Sequence, residues 1–371
     1  MKDQLAREAR VENLIRPEIQ SLKSYHVPPS EGLLKLDAME NPYPWPGQLQ
    51  EEWLVCLQQV EANRYPDAGA QAVRQALREH LQLDALQQST NTELDILLGN
   101  GSDEIIQMLA MCCARQGASI LAPEPGFVMY QMIARFAGMD YIGVPLQADF
   151  SLDEAAMLQA IDERQPALIF LAVPNNPTGN VFDKSAITRI IHAAKGLVVI
   201  DEAYLPFTDS DLLSMCAEYP NVVVMRTLSK AGLAGLRLGM LIGATSWLRE
   251  FDKVRLPYNI NVLTQASAVF ALKHYATLSK QTESLRQERT CLFADLEKLG
   301  GVEAFESEAN FILVRCTHKP ARDVFEAMKV AGVLIKCLDG AHPMLANCLR
   351  LTVGRAEDNE QMLSALQQAL K

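Results

Sequence analysis

The sequence lacks the cysteine and histidine spacing on which protein metal sites depend. Its eight cysteines include no Cys-x-x-Cys pair, and its six histidines show no metal-type spacing. A zinc site, or any other metal site, is therefore not expected. Most of the cysteines stand in apolar stretches, so we expect them to be buried, reduced and inert, as in a cytoplasmic protein.

The chain also lacks an excess of positive charge and a long apolar run. Its 34 Lys and Arg residues against 45 Asp and Glu residues give a net charge of −11. Such a charge argues against partners such as nucleic acid or an anionic membrane. No apolar run approaches the roughly 18 residues of a membrane span, and the charged start, Met1 to Glu8, lacks the apolar core of an export signal. We therefore expect a cytoplasmic protein that acts on small molecules.

A chain of 371 residues is long for a single hydrophobic core, so two domains are expected. Six prolines within residues 1–46 predict an arm with little helix beyond its first turns. We expect this arm to pack on the smaller domain and on a partner subunit. Residues 47–265 are predicted to form the larger domain, and residues 266–371 a smaller α/β domain that begins with a long linking helix.

Continuous apolar runs alternate with helical patterns through the larger predicted domain. Ala167–Val173, Gly196–Ile200 and Val222–Met225 are examples. This alternation predicts an α/β fold whose central sheet is mostly parallel and has helices on both faces. The carboxyl ends of parallel strands meet at one edge of such a sheet, where ligands bind.

A different polar cluster follows each of four predicted strands. One such cluster alone is typical of an ordinary turn or helix cap. Four of them at one edge of a sheet predict an active site. The clusters are Gly101-Ser102-Asp103, Asn176, Asp201 with Tyr204, and Ser229-Lys230.

The residue types suit a phosphorylated aromatic ring that carries an aldehyde. The amine of Lys230 could condense with the aldehyde, and Asp201 could pair with a protonated ring nitrogen. Asn176 and Tyr204 could donate hydrogen bonds to a ring oxygen. Phe127, after Pro123-Glu-Pro-Gly126, could stack on the ring or equally be a core aromatic residue.

A phosphate group would suit the helix that starts near Ser102. Free N–H groups and the helix dipole favour an anion at such a start, and Ser229 and Arg237 could add a hydroxyl and a guanidinium. Asp103 has the wrong charge for a phosphate contact, but a carboxylate also suits the first turn of a helix.

Three of these motifs resemble the fold type I pyridoxal-phosphate aminotransferases. They are Pro174-Asn-Asn-Pro-Thr-Gly179, Asp201-Glu-Ala-Tyr204 and Ser229-Lys230 with the following Gly235-Leu-Arg237. Further motifs resemble more closely the histidinol-phosphate aminotransferases, and the resemblance covers residues 25–355. These are Leu36-Asp-Ala-Met-Glu-Asn-Pro-Tyr43, Asn63-Arg-Tyr-Pro66, Gly99-Asn-Gly-Ser-Asp-Glu104, Ala309-Asn-Phe-Ile-Leu313 and Cys348-Leu-Arg-Leu-Thr-Val-Gly354.

The resemblance implies pyridoxal 5'-phosphate as cofactor, and transamination of L-histidinol phosphate with 2-oxoglutarate by a homodimer with shared active sites. Lys230, Asp201 and Tyr204 would be catalytic, with Lys230 holding the cofactor covalently and carrying a proton. Arg350 would bind the anionic end of the substrate. The helpers of Arg350 would be Lys336, Tyr25 and Asn176. The cofactor would also contact Gly101, Ser102, Asp103, Phe127, Asn176, Ser229 and Arg237, together with Tyr65 of the partner subunit.

Three departures from the family pattern accompany the resemblance. Lys230 and Arg237 are seven positions apart where many relatives have eight, Lys336 replaces a common arginine, and Phe127 replaces a tyrosine found in some members. The same scaffold would also suit an aromatic-amino-acid aminotransferase or a threonine-phosphate decarboxylase. A non-catalytic cofactor-sensing module is a further alternative, against which the acidic charge and the presence of both Lys230 and Asp201 count.

Overall fold

The computed structural model describes residues 2–22, 24 and 28–371. Its first half contains α1 Lys2–Leu14, α2 Pro17–Gln20, β1 Leu34–Lys35, α3 Gly47–Gln58, α4 Gln71–His80, α5 Leu83–Thr90, β2 Leu94–Asn100, α6 Gly101–Cys113, β3 Ser119–Glu124, α7 Val128–Ala137, β4 Asp140–Pro145, α8 Glu154–Arg164, β5 Leu168–Ala172 and α9 Lys184–Ala193. Its second half contains β6 Leu197–Asp201, α10 Met215–Glu218, β7 Val222–Thr227, β8 Leu238–Ala244, α11 Thr245–Asp252, α12 Val262–Lys273, α13 Tyr275–Glu297, β9 Val302–Ala304, β10 Phe311–Cys316, α14 Ala321–Val330, β11 Val333–Leu334, β12 Lys336–Cys337, β13 Cys348–Thr352 and α15 Ala356–Leu370.

A seven-stranded sheet in the order β2-β8-β7-β6-β5-β3-β4 forms the centre of the molecule. The pairs within β7-β6-β5-β3-β4 are all parallel, whereas β8 is antiparallel to both of its neighbours, β7 and β2. The prediction of a mostly parallel sheet is therefore confirmed. Because β8 runs backwards, it starts at the edge where β2, β5, β6 and β7 end.

Helices cover both faces of this sheet. Alternate residues of β5 point to opposite sides, as the pleat requires: Leu168 and Phe170 join one buried cluster, and Ile169 and Leu171 join the other. The first cluster includes side chains of α6, α7 and α11, and the second includes side chains of α4, α8, α9 and α12. The continuous apolar runs of the sequence thus correspond to strands buried on both faces.

A second, antiparallel sheet has the order β12-β13-β10-β9 and packs with α13, α14 and α15 around its own buried cluster. Near it, β1 pairs in parallel with β11. The predicted boundary at residue 266 lies inside α12, whose Ala268 and Ala271 belong to the cluster of the large sheet. The division into domains stays a proposal.

Two helical segments differ in extent from the expectation. The arm was expected to hold little helix beyond its first turns; α1 extends over 13 residues and the short α2 follows it. The first proline of the chain is Pro17, and it occupies the first position of α2, where a missing N–H costs nothing. The long linking helix expected at the start of the smaller domain is divided into α12 and α13 at His274, whose backbone leaves the helical region (φ −109°, ψ 23°).

The cysteines are less buried than their apolar surroundings suggested. All eight are free thiols, but only Cys216, Cys316 and Cys348 are buried, and Cys112 and Cys291 are exposed on their helices. Within the part of the chain that the structure describes, no helix combines the length and the apolar character needed to cross a bilayer.

Candidate active site

Nine of the predicted site residues line one cavity of about 110 Å³ at the edge where β5, β6 and β7 end. They are Ser102, Asp103, Phe127, Asn176, Asp201, Tyr204, Ser229, Lys230 and Arg237. Such a volume is several times the roughly 15 Å³ that one buried water needs, so the cavity can take a small organic molecule. The structure therefore brings together side chains that are up to 135 positions apart in the sequence, from Ser102 to Arg237.

Asp201, the last residue of β6, is a buried carboxylate with both oxygens engaged. Oδ2 accepts a 2.6 Å hydrogen bond from the Tyr130 hydroxyl, and Oδ1 accepts one of 3.0 Å from the Ala203 N–H. Burial raises the pKa of Asp201 from 3.8 to about 6, while these two hydrogen bonds act in the opposite direction. A carboxylate held in this way can pair with a cationic ring nitrogen.

Lys230 lies in the turn Ser229–Leu233, which begins two residues after the end of β7. Its Nζ donates a 3.2 Å hydrogen bond to the Ala38 carbonyl and lies 5.7 Å from the centre of the Tyr204 ring. Burial, followed by the nearby charge of Arg350, lowers the pKa of Lys230 from 10.5 to about 8. About a tenth of this amine is therefore unprotonated and nucleophilic at pH 7.

The short connection from Lys230 to Arg237 starts with a turn, Ser229–Leu233, whose backbone leaves the helical region at Gly232. A 3-10 turn, Ala234–Leu236, follows it. Of the two glycines in this connection, Gly232 has a positive φ, +128°. Its conformational freedom permits the tight turn between Lys230 and Arg237.

Arg237, Ser229 and the start of α6 surround one end of the cavity. Arg237 Nη2 lies 3.0 Å from Asp103 Oδ2, and the Ser229 and Thr227 hydroxyls are 2.9 Å apart. Gly101 has φ +75°, and a Cβ there would lie 2.5 Å from Arg237 Nη2. Its N–H donates a 2.7 Å hydrogen bond to the Arg237 carbonyl. Gly101 thus permits the close approach of Arg237.

Asn176 forms hydrogen bonds with both Tyr204 and Arg350, the residue predicted to bind the substrate. Its Nδ2 donates to the Tyr204 hydroxyl (3.1 Å), and its Oδ1 accepts from Arg350 Nη1 (2.7 Å). Burial raises the pKa of the Tyr204 phenol, against the opposing effects of Arg350 and Asn176, so the hydroxyl stays neutral. Arg350, itself buried, also donates to the Asp37 carbonyl (2.9 Å) and lies over the Phe311 ring.

Lys336 lies directly opposite Arg350 in the antiparallel pair of β12 and β13. Residues in that relation share one face of the sheet, and two like charges so placed destabilise it. An anion between them would remove this repulsion. The register thus brings a second cation to the predicted substrate end.

Two predicted residues lie elsewhere. Tyr65 is 82% exposed on the surface, where its ring stacks on Tyr258 with centroids 4.6 Å apart. Tyr25 falls outside the described residues.

Three residues of the site were not predicted: Thr227 and Met39, which line the cavity, and Tyr130, which does not. Tyr130, which holds Asp201, follows Phe127 by three positions, a spacing that puts two residues on one helix face; this spacing could have indicated it. Thr227 lines the cavity beside Ser229. Met39 also lines it, and its Sδ accepts the Tyr204 hydroxyl at 3.1 Å. Its left-handed backbone, φ +53°, has no sequence signal because methionine rarely adopts it.

The profile of the family described as Aminotransferase class I and II matches residues 32–366 of the chain. The chain is 49% identical to histidinol-phosphate aminotransferase 2 of Cupriavidus pinatubonensis, covering 97% of this chain and 98% of that relative. It is 50% identical to histidinol-phosphate aminotransferase 1 of Burkholderia lata, with 97% and 98% covered. Its fold matches a crystal structure of histidinol-phosphate aminotransferase from Sinorhizobium meliloti in complex with pyridoxal-5'-phosphate, with a TM-score of 0.83, 24% identity, and 96% and 97% covered.

The lowered pKa of Lys230 predicts unusual reactivity in the protein without added ligands. Acylation by trace acetic anhydride requires the neutral amine, so labelling of Lys230 should rise with a midpoint near pH 8. Lys35 serves as the control, because Glu40 raises its pKa against the effect of partial burial. Peptide mass spectrometry across a pH series measures both. A midpoint for Lys230 as high as that of Lys35 would contradict the assignment.

Proposed function

The chain belongs to the class I and II aminotransferase family, and from this premise we propose that it transfers the amino group of L-histidinol phosphate to 2-oxoglutarate. The products are imidazole acetol phosphate and L-glutamate, and the reaction is a step of histidine biosynthesis. The relatives that are 49–50% identical over nearly their whole length are histidinol-phosphate aminotransferases, which supports this substrate. The enzyme uses pyridoxal 5'-phosphate as cofactor.

The observation that carries the proposal is the distribution of charge around the cavity. The cavity lining includes one buried carboxylate, that of Asp201, and the amine of Lys230. The guanidinium of Arg237 and the hydroxyl of Ser229 line it as well. The donors of Arg237, Ser229 and the α6 start suit a phosphate, and Asp201 suits a protonated ring nitrogen. These residues fit pyridoxal 5'-phosphate.

When bound, pyridoxal 5'-phosphate supplies an aldehyde that exchanges amines and a protonated ring that accepts the electron pair left when a proton leaves the substrate Cα. Asp201 would pair with the ring nitrogen and keep it protonated. Lys230 would hold the cofactor and, as a neutral amine, would carry the proton that leaves the substrate Cα. Asn176 and Tyr204 would donate hydrogen bonds to the ring oxygen, and Phe127 would pack on the ring.

Arg350 and Lys336 bind the anionic end of the substrate in this proposal. The enzyme must accept a phosphate ester in one half-reaction and carboxylates in the other. The planar guanidinium of Arg350 can form paired hydrogen bonds with either anion, and its contacts with Asn176 and Asp37 fix its orientation. Lys336 adds a point charge on the same face of the sheet. A role for Tyr25 beside them remains part of the proposal.

We also propose that two chains form a homodimer whose partner subunit supplies Tyr65 to the cofactor phosphate. Tyr65 and Tyr258, whose rings stack, are 82% and 43% exposed, and Leu256, two positions before Tyr258, is 69% exposed. The described part of the N-terminal arm likewise exposes Val11 and Leu14. Burial of both groups against a second copy would remove this apolar surface from water.

We place the enzyme in the cytoplasm. Its eight free thiols suit a reducing compartment. Cell fractionation with an antibody against the chain tests this, and recovery from the periplasm would contradict it.

The substrate assignment predicts a preference for a phosphorylated amine. In single-turnover absorbance measurements, the enzyme loaded with cofactor should convert L-histidinol phosphate faster than phenylalanine. L-Histidinol is the matched control: without the phosphate it loses charged hydrogen bonds to Arg350 and Lys336, so kcat/KM should fall roughly 100-fold. Equal or faster conversion of phenylalanine would contradict the assignment.

The shared site predicts that two inactive variants restore each other. Tyr65→Ala and Lys230→Ala are each expected to be inactive at limiting cofactor. After mixing and subunit exchange, about half the dimers are mixed and one of their two sites has both native residues, so about a quarter of wild-type activity should return. Sedimentation first establishes the dimer. A fully active monomer, or no recovery from mixed dimers, would contradict the proposal.

A further inference from the structure

We propose that Tyr130 is a positioning residue for Asp201: its hydroxyl orients the carboxylate and keeps it ionised for the ring nitrogen of the cofactor. Tyr130 lies on α7, outside the motifs that predicted the site, and it does not line the described cavity. The inference rests on the proposed function, because it concerns how this chain supports the residue that pairs with the ring.

The geometry leaves Asp201 little freedom. Tyr130 is 1% exposed, and its hydroxyl lies 2.6 Å from Oδ2. The Ala203 N–H donates a 3.0 Å hydrogen bond to the other oxygen, Oδ1. With one donor on each oxygen, the plane of the carboxylate is set before a ring arrives, and the remaining lone pairs can accept the N–H of the ring.

Contacts with two aromatic rings hold the Tyr130 side chain in place. Its ring stacks on Phe170 of β5, with centroids 4.5 Å apart and planes at 17°. The edge of Phe127 meets it at 5.5 Å and 86°. Phe127 is the cap residue of α7 and lines the cavity. One helix start therefore supports both the surface on which the ring packs and the partner of its nitrogen.

The electrostatic need for this contact follows from burial. Burial raises the pKa of Asp201 to about 6, the hydrogen bonds from Tyr130 and Ala203 lower it, and the charge of Asp103 raises it. The pKa of Tyr130 is itself raised well above 10.0, so its hydroxyl remains a neutral donor. The titratable groups that face this pair from the elements around it are Asp103 on α6, Tyr141 on β4 and Tyr204 after β6.

Removing the Tyr130 hydroxyl should therefore change the pKa of Asp201 in a defined direction. In Tyr130→Phe the pKa of Asp201 rises further, so more of the carboxyl group is protonated near neutral pH. A protonated carboxyl group cannot form an ion pair with a protonated ring nitrogen. Cofactor affinity should be lost at low pH and recovered as the pH rises and Asp201 ionises again.

The experiment measures the dissociation constant of pyridoxal 5'-phosphate for Tyr130→Phe and wild type from pH 6.5 to 9, by fluorescence quenching of the apoprotein. We expect binding by the variant to be about threefold weaker at pH 6.5 and less than twofold weaker at pH 9, because a pKa rise from about 6 to roughly 7 lowers the ionised fraction of Asp201 at pH 6.5 about threefold. Tyr141→Phe is the matched control: it removes another largely buried tyrosine hydroxyl, one that bonds Glu124 away from the cavity. It should follow the wild-type curve.

A second comparison separates positioning from a general effect on folding. Asp201→Asn has no charge to protect, so adding Tyr130→Phe to it should leave the dissociation constant and its pH dependence unchanged. Equal weakening by Tyr130→Phe at every pH, or the same weakening in the Asp201→Asn background, would overturn the inference. Wild-type protein that fails to bind pyridoxal 5'-phosphate would instead overturn the proposed function, and this inference with it.

Discussion

Strand β8 runs against its neighbours β7 and β2, and this reversal organises the active site. The chain leaves β7 at the edge where β5 and β6 also end, makes the turns that carry Lys230, and enters β8 directly after Arg237. Because β2 is antiparallel to β8, it too ends at this edge, and α6 begins there. A parallel β8 would require a crossover to the far edge of the sheet and would separate Lys230 from Arg237.

The site holds ionised side chains in buried positions, and hydrogen bonds offset the cost of removing those charges from water. Asp201 accepts two hydrogen bonds, and Arg350 donates to Asn176 and to the Asp37 carbonyl. Directly beside Asp201, the buried Glu202 accepts a 2.8 Å hydrogen bond from Arg226 Nε. This ion pair connects the ends of β6 and β7. Losing either partner would leave an uncompensated buried charge, so the contact holds the two strand ends together. The strand ends that carry the chemistry are thus fixed before any ligand binds.

The sequence predicted most of this arrangement, for a physical reason. Buried parallel strands read as continuous apolar runs, and their carboxyl ends must meet, so polar residues after such runs, including Asn176, Asp201 and Lys230, could be expected in one place. What it could not predict depends on tertiary contacts. The hydrogen bond from Tyr130 requires the orientation of α7 over β6, and the left-handed Met39 is set by contacts to Asn310 and Thr352, far away in the chain.

Lys230 is the residue on which the proposed chemistry depends, and its bond to the cofactor can be located directly. Borohydride reduction of the enzyme loaded with pyridoxal 5'-phosphate converts that bond into a stable one, and peptide mass spectrometry then identifies the modified lysine. The account predicts the added mass on the peptide that contains Lys230, with Lys336 unmodified. The cofactor found on Lys336, or on any other lysine, would contradict it.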